Sequence, residues 1–153
     1  MKNRVAAFAM NFNLDRMLGH LIRRLNQQSM AVFHARLKYT GFDITTVQFA
    51  VLNTLGKNPG LDQTTLANRI AYDRATTGGV VKRLEQKKLV QRLPHIDDRR
   101  AIQIWLSAEG IEALAKMRPV VMQLQIEILP NLTTEERKTL QSLIEKALGK
   151  KAN

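Results

Sequence analysis

Apolar residues recur at three- and four-residue steps through Leu14, Met17, Leu18, Leu21, Ile22, Leu25, Val32 and Phe33, the period of an amphipathic helix. The pattern predicts one long helix to about Tyr39, stopped by Gly41, with Asp43 or Thr45 capping the next helix. Val47, Ala50, Val51, Leu52 and Leu55 then share one side of a short helix ending at Gly56 and the turn "KNPG". "LDQTTLANRIA" and "ATTGGVVKRLEQKK" follow as two short helices a few residues apart, which makes a helix-turn-helix unit. The second of these carries Gly78 and Gly79 in its first turns, each costing about 1 kcal/mol relative to alanine in a helix interior. Missing side chains must be favoured there, either by close packing against the preceding helix or by a backbone that approaches a partner.

"LVQRLP" and "AIQIWLS" are rich in branched and aromatic residues and alternate in part, so they read as the strands of a hairpin with "HIDD" in its turn. After Ser107, a helix cap, the positions Ile111, Leu114, Met117, Val121, Leu124 and Ile128 draw a narrow apolar seam along a long helix, with Pro119 as a kink. Such a seam on a lone helix calls for a partner. Thr133 and Glu136 are spaced as a capping box, and the final helix buries Leu140, Leu143, Ile144, Ala147 and Leu148. The order predicts a mainly α fold with a small β-hairpin wing. The whole chain, 1–153, forms one domain, with a winged helix-turn-helix lobe over 45–107 flanked by helices at 12–40 and 108–149.

Charge narrows the partners. The 153 residues hold 24 Lys and Arg against 13 Asp and Glu, a formal charge of +11, so the surface attracts polyanions. Residues 63–100 carry nine basic and four acidic side chains and residues 1–40 seven and one, whereas 101–153 carry seven and six. Double-stranded DNA is therefore expected to meet the first two-thirds of the chain. In that docking the second helix of the pair enters the major groove and the hairpin tip reaches the adjacent minor groove. No apolar run approaches a membrane span, no signal peptide is read at the start, and the lack of cysteine suits a cytoplasmic protein.

No enzyme is expected. His20, His34 and His95 lie in separate segments without the spacing of a triad or a metal site. "TTGGVV" lacks the lysine a P-loop needs, and the sequence implies no cofactor.

The segments "LANRIAYDRATTGGVVKRLEQKKLVQR" and "DDRRAIQIWLSAEG" resemble the multiple antibiotic resistance regulator (MarR) family of transcription factors, over nearly the whole chain. Asp98, Arg100, Leu106, Ser107 and Gly110 match that family's wing signature in order. The resemblance implies a homodimer joined through the first and last two helices, straddling a near-palindromic operator as a repressor. It also implies release from DNA when a small molecule binds between the dimer region and the winged lobe. The seams Ile111–Ile128 and Leu140–Leu148 are where two chains would join. "GHLIRRLNQ" with "PGLDQTTLANRIAYDRATTGGVV" is similar to the branch controlling aromatic-compound catabolism, which implies an aromatic or heteroaromatic carboxylate, or its coenzyme A thioester, as effector.

Candidate DNA contacts follow. Arg100 is the minor-groove residue, since arginine is favoured where that groove narrows. Asp98 orients Arg99 or Arg100 through a charge-assisted hydrogen bond, and Arg99 meets backbone phosphate. Arg74, Thr76 and Thr77 occupy the turns that face base edges, although threonines there serve equally as caps. Lys82 and Arg83 reach phosphate or form a solvated face, and Gln63, Thr64 and Thr65 donate to phosphate from a helix N-terminus. His20, Arg24, Gln27 and His34 share one stripe of the first helix, which reads either as a solvated face or as an effector site. In the second case His20, Arg23, Arg24 or His34 faces the carboxylate, with Phe49 or Tyr72 stacking on its ring. Two rivals stand beside the repressor reading. One is an activating or ligand-independent regulator of the same fold, the other a sequence-tolerant architectural DNA-binding protein.

Overall fold

Burial sorts the chain more finely than periodicity does. In the computed structural model, which describes residues 13–98 and 100–149, a 3-10 turn at Leu14–Arg16 leads into four helices. They are α1 (Leu18–Tyr39), α2 (Thr46–Lys57), α3 (Gln63–Ile70) and α4 (Arg74–Gln86). Strands β1 (Val90–Pro94) and β2 (Ile102–Leu106) come next, then α5 (Ala108–Ile128) and α6 (Thr134–Ala147). This is the mainly helical, winged helix-turn-helix arrangement expected. The first helix begins later than its apolar pattern does, because Met17 takes an extended backbone, ψ 129°, and parts Leu14 from Leu18.

Local chemistry sets the boundaries. Thr45 and Gln48 close a reciprocal capping box on α2, and Thr133 and Glu136 do the same on α6. Gly56 does not stop α2; it lies inside the helix, where a Cβ would sit 2.6 Å from Leu114 Cδ2. The Ser107 hydroxyl accepts from Gly110 N (2.9 Å) and donates to Lys88 O (2.6 Å), tying the start of α5 to the chain leaving α4. Gly110 is required there, since a Cβ would meet Leu89 O at 1.9 Å.

One core runs through the winged lobe. Leu52 and Leu55 of α2, Leu66 of α3, Val81 and Leu84 of α4, and Ile104 of β2 join Phe33 and Leu37 of α1 and Leu114, Met117 and Leu124 of α5. Full burial of each such side chain contributes roughly 1.5–3 kcal/mol. The seam on α5 is therefore not unpartnered as its periodicity suggested. Leu114, Met117 and Leu124 turn inward against the chain's own α1 and α2, and only Ile111, 60% exposed, stays outside. Polar contacts lock the same faces: Arg118 Nε donates to Asn53 Oδ1 (3.1 Å), and Arg36 Nη2 lies 3.1 Å from Glu127.

The other end of the molecule is different. Helix α6 buries none of its residues. Its Leu140 and Ile144 and the capping Leu148, with Ile22 and Leu25 of α1 and Ile126 of α5, line an open groove of about 730 Å³.

The wing is a two-stranded antiparallel ladder pairing Val90 with Leu106, Arg92 with Ile104 and Pro94 with Ile102. A third segment absent from the pattern reading joins it: Ile104 N donates to Leu61 O (2.8 Å) and Gly60 N to Ile104 O (3.2 Å). Gly60 has φ +75°, and a Cβ there would fall 2.6 Å from the Trp105 ring, so its turn accepts only glycine without rearrangement. This bracing fixes the hairpin relative to the base of the helix pair.

Candidate nucleic-acid interface

Two aspartates set the helix pair. Asp62 caps α3, its Oδ1 accepting from Thr64 N (2.9 Å) and Thr65 N (3.0 Å) and its Oδ2 from the Thr65 hydroxyl (2.5 Å). Asp73 repeats the device on α4 with Thr76 N (2.8 Å) and the Thr76 hydroxyl (2.5 Å). The threonine hydroxyl bonds, followed by the backbone N–H bonds, hold both carboxyls below the usual carboxylate range. Between the helices Ala71 takes φ 57° and Tyr72 N donates back to Ala67 O (3.1 Å), so the chain turns within three residues.

The caps redistribute the expected DNA contacts. At the opening of α3, the Thr64 and Thr65 amides and the Thr65 hydroxyl donate to Asp62. Gln63 Nε2 donates to Arg74 O (3.0 Å), fastening α3 to α4. Thr77 faces the core, fully buried, with its hydroxyl donating to Asp73 O (2.8 Å), and this removes it from any groove. The cause is helical phase. Val80, Val81 and Leu84 claim one side of α4, and Thr77 falls on that side at about 100° per residue. The side chains of Arg74, Thr76, Lys82 and Arg83 belong to exposed residues.

The glycine pair divides between its two explanations. A Cβ on Gly78 would meet Gln63 Nε2 at 2.7 Å, so Gly78 serves packing between the helices. Around Gly79 a Cβ would meet nothing within 4 Å.

At the wing tip Asp98 acts on backbone. Its Oδ1 accepts from Arg100 N (3.0 Å) and its carbonyl from Ala101 N (2.9 Å), an Asx-type turn that shapes the tip. Asp98 thus takes the Arg100 amide, while any bond to the Arg99 guanidinium lies outside the described residues. Asp97, unassigned from sequence, donates its N–H to His95 Nδ1 (3.2 Å). Arg99 lies outside the described residues. Arg100 is exposed and, with Arg74 and Arg92, lines a cleft of about 400 Å³ between the wing and the helix pair. Sequence reasoning missed Arg92. Its signal was a cation on the hairpin strand that pairs with Ile104, whose position over the cleft depends on the register.

The effector candidates are spread along α1 and onto the winged lobe. His20 Nε2 lies 3.6 Å from Asp15, and its Nδ1 lies 3.4 Å from Arg23, which also donates to Gln27 Oε1 (3.1 Å). His34 sits beside Asp43 at 3.9 Å, near the other end of α1. Phe49 packs edge-on against Phe33 with ring centroids 5.8 Å apart, and Tyr72 is exposed in the turn between α3 and α4. Arg24 alone of the six lines the depression formed by α1 and residues 129–132. Among the described residues no cluster of His, Asp and Glu is suited to a metal ion.

Comparison with known proteins places this geometry. The MarR family model matches residues 44–102, the span from the start of α2 through the wing tip. The transcriptional regulator HosA of Escherichia coli is 31% identical over 85% of this chain and 93% of its own length. The repressor NicR of Pseudomonas putida is 29% identical over 93% and 89% respectively. Among solved structures, a mutant of E. coli MarR complexed with operator DNA superposes with a TM-score of 0.78 at 30% identity, covering 86% of this chain and 93% of that one. Bordetella bronchiseptica BpsR, whose DNA binding is regulated by 6-hydroxynicotinic acid, superposes with a TM-score of 0.81 at 27% identity, over 93% and 99%.

Proposed function

Because this chain belongs to the MarR family of DNA-binding transcriptional regulators, we propose that it is a homodimeric repressor released from its operator by a small aromatic or heteroaromatic carboxylate or its coenzyme A thioester. The observation that carries the reading is the pairing of an exposed cationic face on α4 with an exposed arginine at the wing tip, both held in place by the caps and the braced hairpin. In this account α4 lies in the major groove, with Arg74 and Thr76 near base edges and Lys82 and Arg83 at phosphates. Arg100 enters the minor groove, where a narrow wall favours arginine, and Arg99 meets backbone phosphate.

The homodimer rests on the apolar groove between α1 and α6, which a single chain leaves open. A twofold dimer presents two α4 helices, and the operator is accordingly a near-palindrome with half-sites about one helical turn apart. Repression and an aromatic acid effector are supported by the likeness to NicR and BpsR. No described helix is long and apolar enough to cross a membrane, in keeping with action on DNA in the cytoplasm.

The test has two arms. Duplexes selected from a random pool should outbind random DNA by roughly a thousandfold or more. Benzoates, cinnamates, pyridine carboxylates and their thioesters should then be screened for release of that duplex. No release by any member refutes the effector, and no preference among duplexes favours the sequence-tolerant architectural reading.

A further inference from the structure

A glycine in a helix interior costs stability unless the fold needs its missing side chain. Among the described residues nothing needs Gly79. Its backbone is helical, and a Cβ would point into open space, whereas a Cβ on its neighbour Gly78 would push against the Gln63 amide. Helical phase shows where Gly79 points. Thr77, Val80, Val81 and Leu84 define the buried side of α4, and Ala75, Gly79, Lys82 and Gln86 run along the opposite ridge at about 100° per residue. Gly79 lies near the middle of that ridge, with Lys82 less than one turn away.

We infer that Gly79 is the closest-approach position of α4 on DNA, a specificity-determining residue through which the helix backbone seats against base edges; this deepens the proposed DNA-binding role and rests on it. The dimensions support the assignment. The major groove is about 12 Å wide and an α-helix with its side chains about 10–12 Å across, so the residues on the outward ridge limit how deeply the helix enters. A bare position at mid-ridge lets Ala75 and Thr76 bring their methyl groups to the base edges, where thymine offers a methyl of its own. Lys82 and Arg83 remain at the level of the phosphates. Added bulk at Gly79 lifts the whole helix and loses several base contacts together.

Stability and recognition should therefore move in opposite directions. Gly79→Ala meets no steric obstacle in the fold and gains helix propensity, so its melting temperature should rise by about 2–4 °C. Its affinity for the duplex that the native chain selects from a random pool should fall about tenfold, and that of Gly79→Met about a hundredfold. Binding of both variants to random DNA should stay within about twofold of native, because phosphate contacts persist. Variants that bind the selected duplex as tightly as the native chain overturn the inference while leaving the regulator reading intact. A native chain that selects no duplex overturns both.

Discussion

The winged lobe and the helical end of this molecule show opposite treatments of the same kind of residue. In the core under the winged lobe, Leu52, Leu66, Leu84 and Leu114 are almost completely shielded from solvent. At the helical end, Leu18, Ile22, Leu143 and Leu148 are 78%, 66%, 58% and 70% exposed. Both sets follow helical spacing. What differs is whether the chain's own elements cover them, and the difference separates a core closed within one chain from the surface proposed to meet a second copy. Scattered exposed apolar residues are ordinary, but a contiguous groove built by three helices is an interaction surface.

The strongest way to break this contrast is within the lobe. Leu84→Ala leaves a cavity under α4 and should cost about 2–5 kcal/mol, measured by chemical denaturation. A loss under 1 kcal/mol would contradict the single core. Next comes the helical end. Leu143→Glu together with Leu148→Glu should convert a dimer to a monomer by sedimentation, with helix content retained, because neither residue supports the core. An unaltered mass would remove α6 from the interface.

Much of the fold was legible because helix periodicity and caps are local, and Thr133, Glu136 and Ser107 act as their spacing predicts. The α5 seam was misread for a tertiary reason. Leu114, Met117 and Leu124 have the same spacing whether a partner chain or the chain's own α1 covers them. Thr76 and Thr77 are likewise adjacent and chemically identical, and only the direction of the core makes one exposed and the other buried. Gln63 and Asp98 form bonds to backbone that depend on the tight turn and the wing tip. The effector candidates came from α1, from Phe49 of α2 and from Tyr72 between α3 and α4, and helical spacing by itself does not specify a cavity.

Two smaller effects sharpen the contrast on the side of the lobe. Arg100→Ala should weaken operator binding by about 1–3 kcal/mol and leave thermal stability unchanged, since the residue is exposed and its side chain makes no hydrogen bond or ion pair among the described residues. A drop in stability instead would make Arg100 a structural residue. The smallest effect is set by acid. Asp62 and Asp73 have depressed folded-state pKa values, so their contribution is fully present above the unfolded carboxylate range and is lost as pH falls through it. Stability should decline below about pH 4, and Asp62→Asn with Asp73→Asn should flatten that decline, as followed by circular dichroism. An equally steep decline in the double variant would place the acid sensitivity elsewhere.

The central claim is that α4 and the wing of two joined chains read a specific DNA sequence. The most direct measurement is sequencing of the duplexes that the native chain retains from a random pool. The account predicts enrichment of a near-palindrome with half-site centres about 10 base pairs apart. A retained pool with no enriched sequence, or with a single unpaired half-site, would contradict it.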